Sequence, residues 1–311
     1  MKKIMIFLTL LLASTFMTNA QQDLLLSQEI FSRINKNPAG SGDRGTYDAF
    51  LHGRLQWLGI EGGPKSTVLN ISRYVKDIHS GVGISLSYDK MEVGHSTTNF
   101  KAVYSHHFEV VPDVYLALGL SAGFNLCYFD PASYTLENKV EYGMETFPQD
   151  KETEVHPDFD FGFELYQKTW MVGASMTHIH NGNITNMMPC RHFYIYASGK
   201  LTPNVKCELM PTVSYLHRNK TNVLEWGSYA TFRKKILSGF FWRPDFASSV
   251  NPSTLVFSFG VSGDKFMFLY SYDLAVGSNN LLSTNTHEIM LSLSMEKKEK
   301  EKYKKKKYEF E

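Results

Sequence analysis

Two pairs of histidines, His106-His107 and His178-x-His180, have spacings that suggest a metal site. A metal held by imidazole needs further ligands brought to the same point, usually His, Cys or a carboxylate. Neither pair is joined by a carboxylate at helical spacing, and the strand order derived below places the pairs at opposite ends of the molecule. The three cysteines, Cys127, Cys190 and Cys207, are odd in number and contain no Cys-x-x-Cys. They read as small apolar fillers rather than as disulfides or ligands. A hydrolase of the Ser-His type needs a serine, a histidine and an orienting polar group held together. No local sequence singles out such a serine, and no catalytic residue, cofactor or metal is expected.

The remaining candidates concern binding. The stretch 129–156 carries Asp130, Glu137, Glu141, Glu145, Asp150, Glu152 and Glu154 with few bases. Such acidity suits contact with a secreted partner or a divalent ion. It equally suits a solvated surface loop, and the spacing is not that of an EF-hand. The net charge of +1 gives no reason to expect a nucleic-acid partner.

The elements that carry these residues follow from period. From Val114 to Leu126 the residues Val114, Leu116, Leu118, Leu120, Ala122, Phe124 and Leu126 alternate with Tyr115, Ala117, Gly119, Ser121, Gly123 and Asn125. Successive side chains leave opposite faces of a strand, so one face is apolar throughout. The same alternation recurs in Phe159, Phe161, Phe163 and Leu165, in Leu255, Phe257, Phe259 and Val261, and in Ile289, Leu291, Leu293 and Met295. Asp158, Asp160 and Glu164 lie on the opposite face of such a strand and must avoid lipid, which fits a wet, polar interior.

Fourteen strands are expected, near 46–56, 66–75, 80–89, 97–108, 113–128, 157–167, 169–178, 191–202, 204–217, 222–233, 235–243, 253–263, 264–274 and 286–295. Their connections alternate between short and long. Membrane barrels have this asymmetry, with tight periplasmic turns and long outer loops. The first connection, around Trp57 to Lys65, then faces outward. The expected fold is an all-β, transmembrane antiparallel barrel of the bacterial outer membrane, spanning 46–295.

The chain opens with an export signal, residues 1–20. Lys2 and Lys3 precede an apolar run from Ile4 to Leu12, and the small Thr18 and Ala20 suit cleavage after Ala20. After it no apolar run approaches the roughly 18 residues that a spanning helix requires. Residues 21–45 form a periplasmic leader or a plug for the lumen. Leu24, Leu25, Leu26, Ile30, Phe31 and Ile34 would be costly to leave in water, whereas a plain lead into the first strand would leave them there. Residues 296–311 hold eight Lys and five Glu and read as a charged periplasmic tail.

Five motifs occur in order along the mature chain. Gln22-Asp23 with Ser27-Gln28 and Phe31 leads into Asn37-Pro38-Ala39-Gly40. Gly53 to Lys65 reads GRLQWLGIEGGPK, residues 161–179 read FGFELYQKTWMVGASMTHI, and 191–203 read RHFYIYASGKLTP. Ser271-Tyr272-Asp273 and His287-Glu288-Ile289 with Leu291-Ser292 close the chain. In this order they resemble the PorP/SprF family, outer-membrane proteins of the type IX secretion system. Two features depart from that family pattern: Gly40 stands where an aromatic residue usually follows Asn-Pro-Ala, and the chain runs past its last strand.

The resemblance implies a non-enzymatic role in exporting or surface-anchoring large proteins. Its implied partners are the secretion machinery on the periplasmic side, a secreted or surface-anchored client, and outer-membrane lipid. Residues offered for partner binding are Asn37, Pro38, Trp57, Gly63, Pro64, Lys304 and Lys305. Trp57 suits the outer rim as an interfacial aromatic, followed by a constrained turn at Gly59, Gly62, Gly63 and Pro64. A porin or small-molecule transporter is the alternative, because one barrel fold serves many functions.

Overall fold

A segment that alternates apolar and polar residues has one lipid-compatible face and satisfies its backbone only by pairing on both edges. A closed sheet meets both demands. The protein, described by a computed structural model over residues 24–42, 47–60, 62–91, 94–133, 150–180, 189–218, 221–244, 253–276 and 285–295, adopts this solution. Fifteen strand segments occur: β1 (Tyr47–Leu55), β2 (Lys65–Val75), β3 (Ser80–Met91), β4 (His95–Val111), β5 (Val114–Phe129), β6 (Glu152–Gln167), β7 (Trp170–Thr177), β8 (His192–Gly199), β9 (Leu201–Asn204), β10 (Cys207–Arg218), β11 (Thr221–Phe232), β12 (Ile236–Arg243), β13 (Ser253–Ser262), β14 (Phe266–Val276) and β15 (Thr286–Met295).

Apart from β8 and β9, consecutive strands pair antiparallel, and β15 returns to pair with β1 from Tyr47↔Met295 to Leu55↔His287. β8 and β9 both pair with β10 and act as one stave, so the closed barrel has 14 strands. The break between them has a local cause. Pro211 of β10 lies between the last pairing with β8, Thr212↔Ser198, and the first with β9, Leu209↔Leu201. Proline has no N–H to give a ladder, so pairing lapses there.

The faces separate as the alternation requires. Leu118, Leu120, Phe124, Phe159, Phe161, Phe163, Phe257, Phe259 and Leu291 are exposed on the outside, Leu120 at 59% and Phe259 at 62%. On the inside of the same strands Ser121, Asn125, Asp158, Asp160, Glu164, Ser258 and Glu288 are buried. Trp226 and Trp242 stand directly opposite each other near the long-connection end, ring centroids 4.8 Å apart, as interfacial aromatics do.

Two expectations need correction. The interior is not a wet lumen around Asp158, Asp160 and Glu164, because all three are buried and ion-paired. The acidic stretch also begins its strand earlier than expected. β6 starts at Glu152, pairing Phe129↔Glu152 and Cys127↔Glu154, so these two glutamates belong to a hairpin and not to a loop. Pro157 masked that continuation in the sequence. It sits opposite Phe124 of β5 at a point where β6 has no partner in β7, whose pairing reaches only Phe161↔Met176. One free edge is what a strand proline needs. Glu137, Glu141 and Glu145 lie outside the described residues, as do the signal segment and the charged tail.

The lipid-facing assignment can be tested by placing a charge on it. Leu120→Arg, in the middle of β5, is expected to destabilise the barrel by about 2–4 kcal/mol. Ser121→Ala, one residue on but facing inward, is expected to cost far less. Heat-modifiable gel migration combined with urea titration of the refolded barrel reads both.

Candidate functional site

The barrel is occupied by its own N-terminal segment. Residues from Leu26 to Ser41 are buried nearly throughout, with Gln28, Asn37, Ala39 and Ser41 fully so. The segment contains two single 3-10 turns, Glu29–Phe31 and Pro38–Gly40. It starts beside the ends of β1, β12 and β15 that carry the long connections. It finishes at Gly42, packed against Tyr74 and Gly81 near the short β2–β3 turn. The chain thus runs down the lumen before entering β1.

The first anchor is ionic. The backbone N–H groups of Ser27 and Gln28 donate to the two oxygens of Glu288, at 2.8 and 3.1 Å. The Ser27 hydroxyl donates to Asp273 at 2.7 Å, and Tyr229 donates to the Ser27 carbonyl at 3.0 Å. Arg54 bridges the two carboxylates, reaching Glu288 and Asp273 at 2.9 Å each. Arg243 joins from the other side, 3.3 Å from Asp273 and 2.5 Å from Glu225. Gln28 adds a hydrogen bond to Ser271 at 2.7 Å. Two guanidinium groups therefore face three carboxylates, and the segment's amides supply the donors that complete the carboxylate shells. A buried charge missing such partners costs several kcal/mol, which makes this cluster far stiffer than neutral contacts of about 1 kcal/mol each.

The second anchor lies on the opposite wall. Arg33 donates from Nε and Nη2 to the two oxygens of Glu164, at 2.9 and 3.0 Å, the bidentate geometry that a guanidinium favours. Tyr196 donates to the same carboxylate. Asn37 is fixed at both ends of its amide. Its Oδ1 accepts from the Ala39 N–H and caps the turn at Pro38, while its Nδ2 donates to the Phe163 carbonyl and the Tyr196 hydroxyl. Lower down, Ser175 donates to the Lys36 carbonyl and Ser105 to the Ser41 carbonyl. Between the anchors Phe31 enters an apolar cluster with Phe50, Tyr229, Phe241, Leu269 and Met290.

Glycines on the wall make the fit possible. A Cβ on Gly119 would lie 2.1 Å from the Ala39 nitrogen, and one on Gly162 would lie 2.1 Å from Asn37 Oδ1. Gly81 would meet the Ser41 carbonyl at the same distance. Any larger residue at these three positions would push the segment off the wall.

The segment does not fill the barrel evenly. A small cleft, open to solvent, remains between Ile30 and Arg33 of the segment and Tyr194, Leu216, Val223 and Phe241 of the wall. Elsewhere Asp158, Asp160 and His178 place ligand-type atoms within 4.8 Å of one another. The Lys101 ammonium stands 3.1 Å from Asp158 and 2.8 Å from Asp160, in the place a cation would take, and His178 is hydrogen-bonded to Asp158. His180 is exposed and outside this group, while His107 lies at the other end, bonded to Ser105 and Tyr166.

The residues singled out in the sequence fall in separate places. Asn37 and Pro38 are buried against the wall. Trp57 is half-buried in a loop where Gln56 donates to the Pro64 carbonyl at 2.9 Å and Ile60 to Trp57 at 2.9 Å. Gly63 is buried there, and a Cβ on it would meet the Gln56 carbonyl at 2.3 Å, so the position admits only glycine without a shift of the loop. At the same end of the barrel, Lys151 donates to Asp130 at 2.8 Å and holds its carboxyl below the usual carboxylate range. Lys304 and Lys305 lie outside the described residues. Sequence reasoning passed over Arg33, Arg54, Arg243, Glu164, Asp273 and Glu288 as a set. The available signal was a charge on the inward face of an otherwise apolar strand, which in a membrane barrel requires a partner across the lumen.

Glu164→Gln leaves the Arg33 guanidinium buried without its counter-charge and is expected to cost about 3–5 kcal/mol. Replacing both groups, Arg33→Met with Glu164→Met, is expected to recover most of that loss. Urea unfolding followed by tryptophan fluorescence measures each; equal losses in the single and double variants would show that the pair does not hold the segment.

Comparison with known proteins agrees with this architecture. The structure resembles the Ralstonia pickettii toluene transporter TbuX, with TM-score 0.50 and 10% identity over 83% of this chain and 92% of that one. It also resembles the CymD monoaromatic hydrocarbon channel, with TM-score 0.51 and 10% identity over 85% and 92%. At such identity the likeness is one of fold. No curated protein sequence matches the chain. A family model described as type IX secretion system membrane protein PorP/SprF matches residues 18–293, nearly the whole chain. The motifs that clasp the lumen segment are thus carried by an outer-membrane protein that belongs to the PorP/SprF family of the type IX secretion system.

Proposed function

We propose that the protein is a non-enzymatic accessory of type IX secretion that supports export or surface attachment of large proteins by recruiting them, not by conducting them through its own lumen. The observation that carries this reading is the occupied lumen, clasped by Glu288, Asp273 and Arg54 at one level and by Glu164 at another. A polypeptide client cannot share that space with residues 26–41. Work is left to the two rims. The long connections, with Trp57, Gly63 and Pro64 in the first of them, meet the client at the cell surface. The short turns and the Lys304-Lys305 tail meet the periplasmic machinery. Asn37 and Pro38 act by keeping the segment seated, and become available to a partner only when it leaves the wall.

A second reading, a small-molecule transporter, draws support from the cleft beside Ile30 and from the channel folds that the barrel resembles. Gene deletion separates the two. Loss of one or more large proteins from the secreted and surface proteome, with unchanged uptake of small solutes, is expected. Normal secretion with altered solute permeability would overturn the accessory role in favour of transport. In planar bilayers the full chain is expected to remain non-conducting, and a variant lacking residues 24–42 to give stable single-channel steps.

A further inference from the structure

Three neighbouring turns at the short-turn rim are unusually basic. Lys200 and Lys206 flank β9 and the β9–β10 turn, Arg233, Lys234 and Lys235 form the β11–β12 turn, and Lys265 lies in the β13–β14 turn. All six are exposed. The acids among them are Glu208, paired with Lys200 at 2.6 Å, and Asp264. The turns are stitched together by their backbones: Arg233 donates to the Lys206 carbonyl at 2.6 Å, and Ser262 to the Lys235 carbonyl at 2.7 Å. Asn204 Oδ1 accepts from the Lys206 N–H at 2.9 Å and orders its turn. A shallow recess between the first two turns is lined by Asn204, Lys206, Thr231 and Lys234.

The β11–β12 turn keeps its charge at a conformational cost. Arg233 and Lys234 have φ of 49° and 57°, in the left-handed region. Consecutive positive φ in a hairpin is the setting that favours Asn-Gly and disfavours long side chains. Around the cations the rim is apolar: Leu201, Phe232 and Ile236 are exposed on the outer wall, and Val205 projects fully from its turn. The Arg233 guanidinium lies 5.4 Å from the centre of the Phe232 ring, which holds the charge against the lipid-facing wall.

We infer that this arc, centred on Lys206, Arg233 and Lys234, binds the headgroup of an anionic phospholipid. Clustered cations beside exposed apolar side chains, at the level where strands meet the membrane boundary, match a phosphate anchored by acyl chains. An acidic protein segment would not need the outward apolar frame. The ordinary sidedness of such barrels puts the short turns in the periplasmic leaflet, which makes the lipid a phospholipid.

The test uses the full chain in a neutral detergent, titrated with dioctanoyl phosphatidylglycerol and, separately, with dioctanoyl phosphatidylcholine, bound lipid being counted by native mass spectrometry. Preferential binding of phosphatidylglycerol is expected. The variant Arg233→Asn with Lys234→Gly removes two charges while installing the residues this turn favours, so it is expected to fold at least as well. Combined with Lys206→Gln it should weaken phosphatidylglycerol binding by about a hundredfold. Lys65→Gln, Lys90→Gln and Lys151→Gln together remove three charges at the opposite end and should leave binding unchanged. Equal weakening in both triple variants, no weakening in the first, or equal binding of phosphatidylcholine would each overturn the inference. So would displacement of phosphatidylglycerol by a poly-glutamate peptide binding at the same residues, which would make the arc a protein-docking surface.

Discussion

The structure depends on matching charge inside a closed barrel. Glu288, Asp273 and Glu225 project from the wall at one level, Arg54 and Arg243 answer them, and the amides of Ser27 and Gln28 fill the remaining acceptor positions. Burying such a group is tolerable only when its charge and its hydrogen bonds are met together. The arginines supply the first requirement and the N-terminal segment supplies part of the second. The same arrangement recurs at Glu164, where Arg33 comes from the segment itself. Wall and segment are therefore one electrostatic unit, and neither surface would be reasonable without the other.

Sterics reinforce this match. Gly81 and Gly119 stand where the segment's backbone approaches closely and Gly162 where the Asn37 side chain does, and each lies on the inward face of its strand. Phe31 closes the gap between the two ionic anchors with an apolar cluster. Charge thus sets the register of the segment, and the glycines set its depth against the wall. The cleft left beside Ile30 indicates that the lumen is wider than the segment needs on the β8 to β12 side.

A barrel filled in this way has its lumen taken up by residues 26–41 of its own chain. Its outer wall is fixed by lipid, its interior by its own chain, and only the two rims remain free to vary their chemistry. The long-connection rim carries the constrained Trp57 loop, and the short-turn rim carries the basic arc around Arg233. These differences fit a component that holds position beside other machinery. Membership of a secretion-system family is the context for the proposed accessory role.

Period-2 alternation with alternating short and long connections made the barrel legible from sequence. The reason is physical: lipid on one side of every strand forces the pattern into the chain itself. The expected last strand, 286–295, coincides with β15 (Thr286–Met295), while the expected sixth strand began too late, at Pro157, where pairing on one edge decides whether proline is tolerated. The ordered motifs placed the chain in its family. What the sequence did not disclose was why those motifs carry the residues they do. Ser27, Arg54, Asp273 and Glu288 are remote in the chain, and charge on an inward face says only that a partner must exist. Closure of β15 on β1 and the return of the N-terminal segment into the lumen decided which partner, because the pairing of charges across a barrel is set by its circumference and register rather than by local sequence.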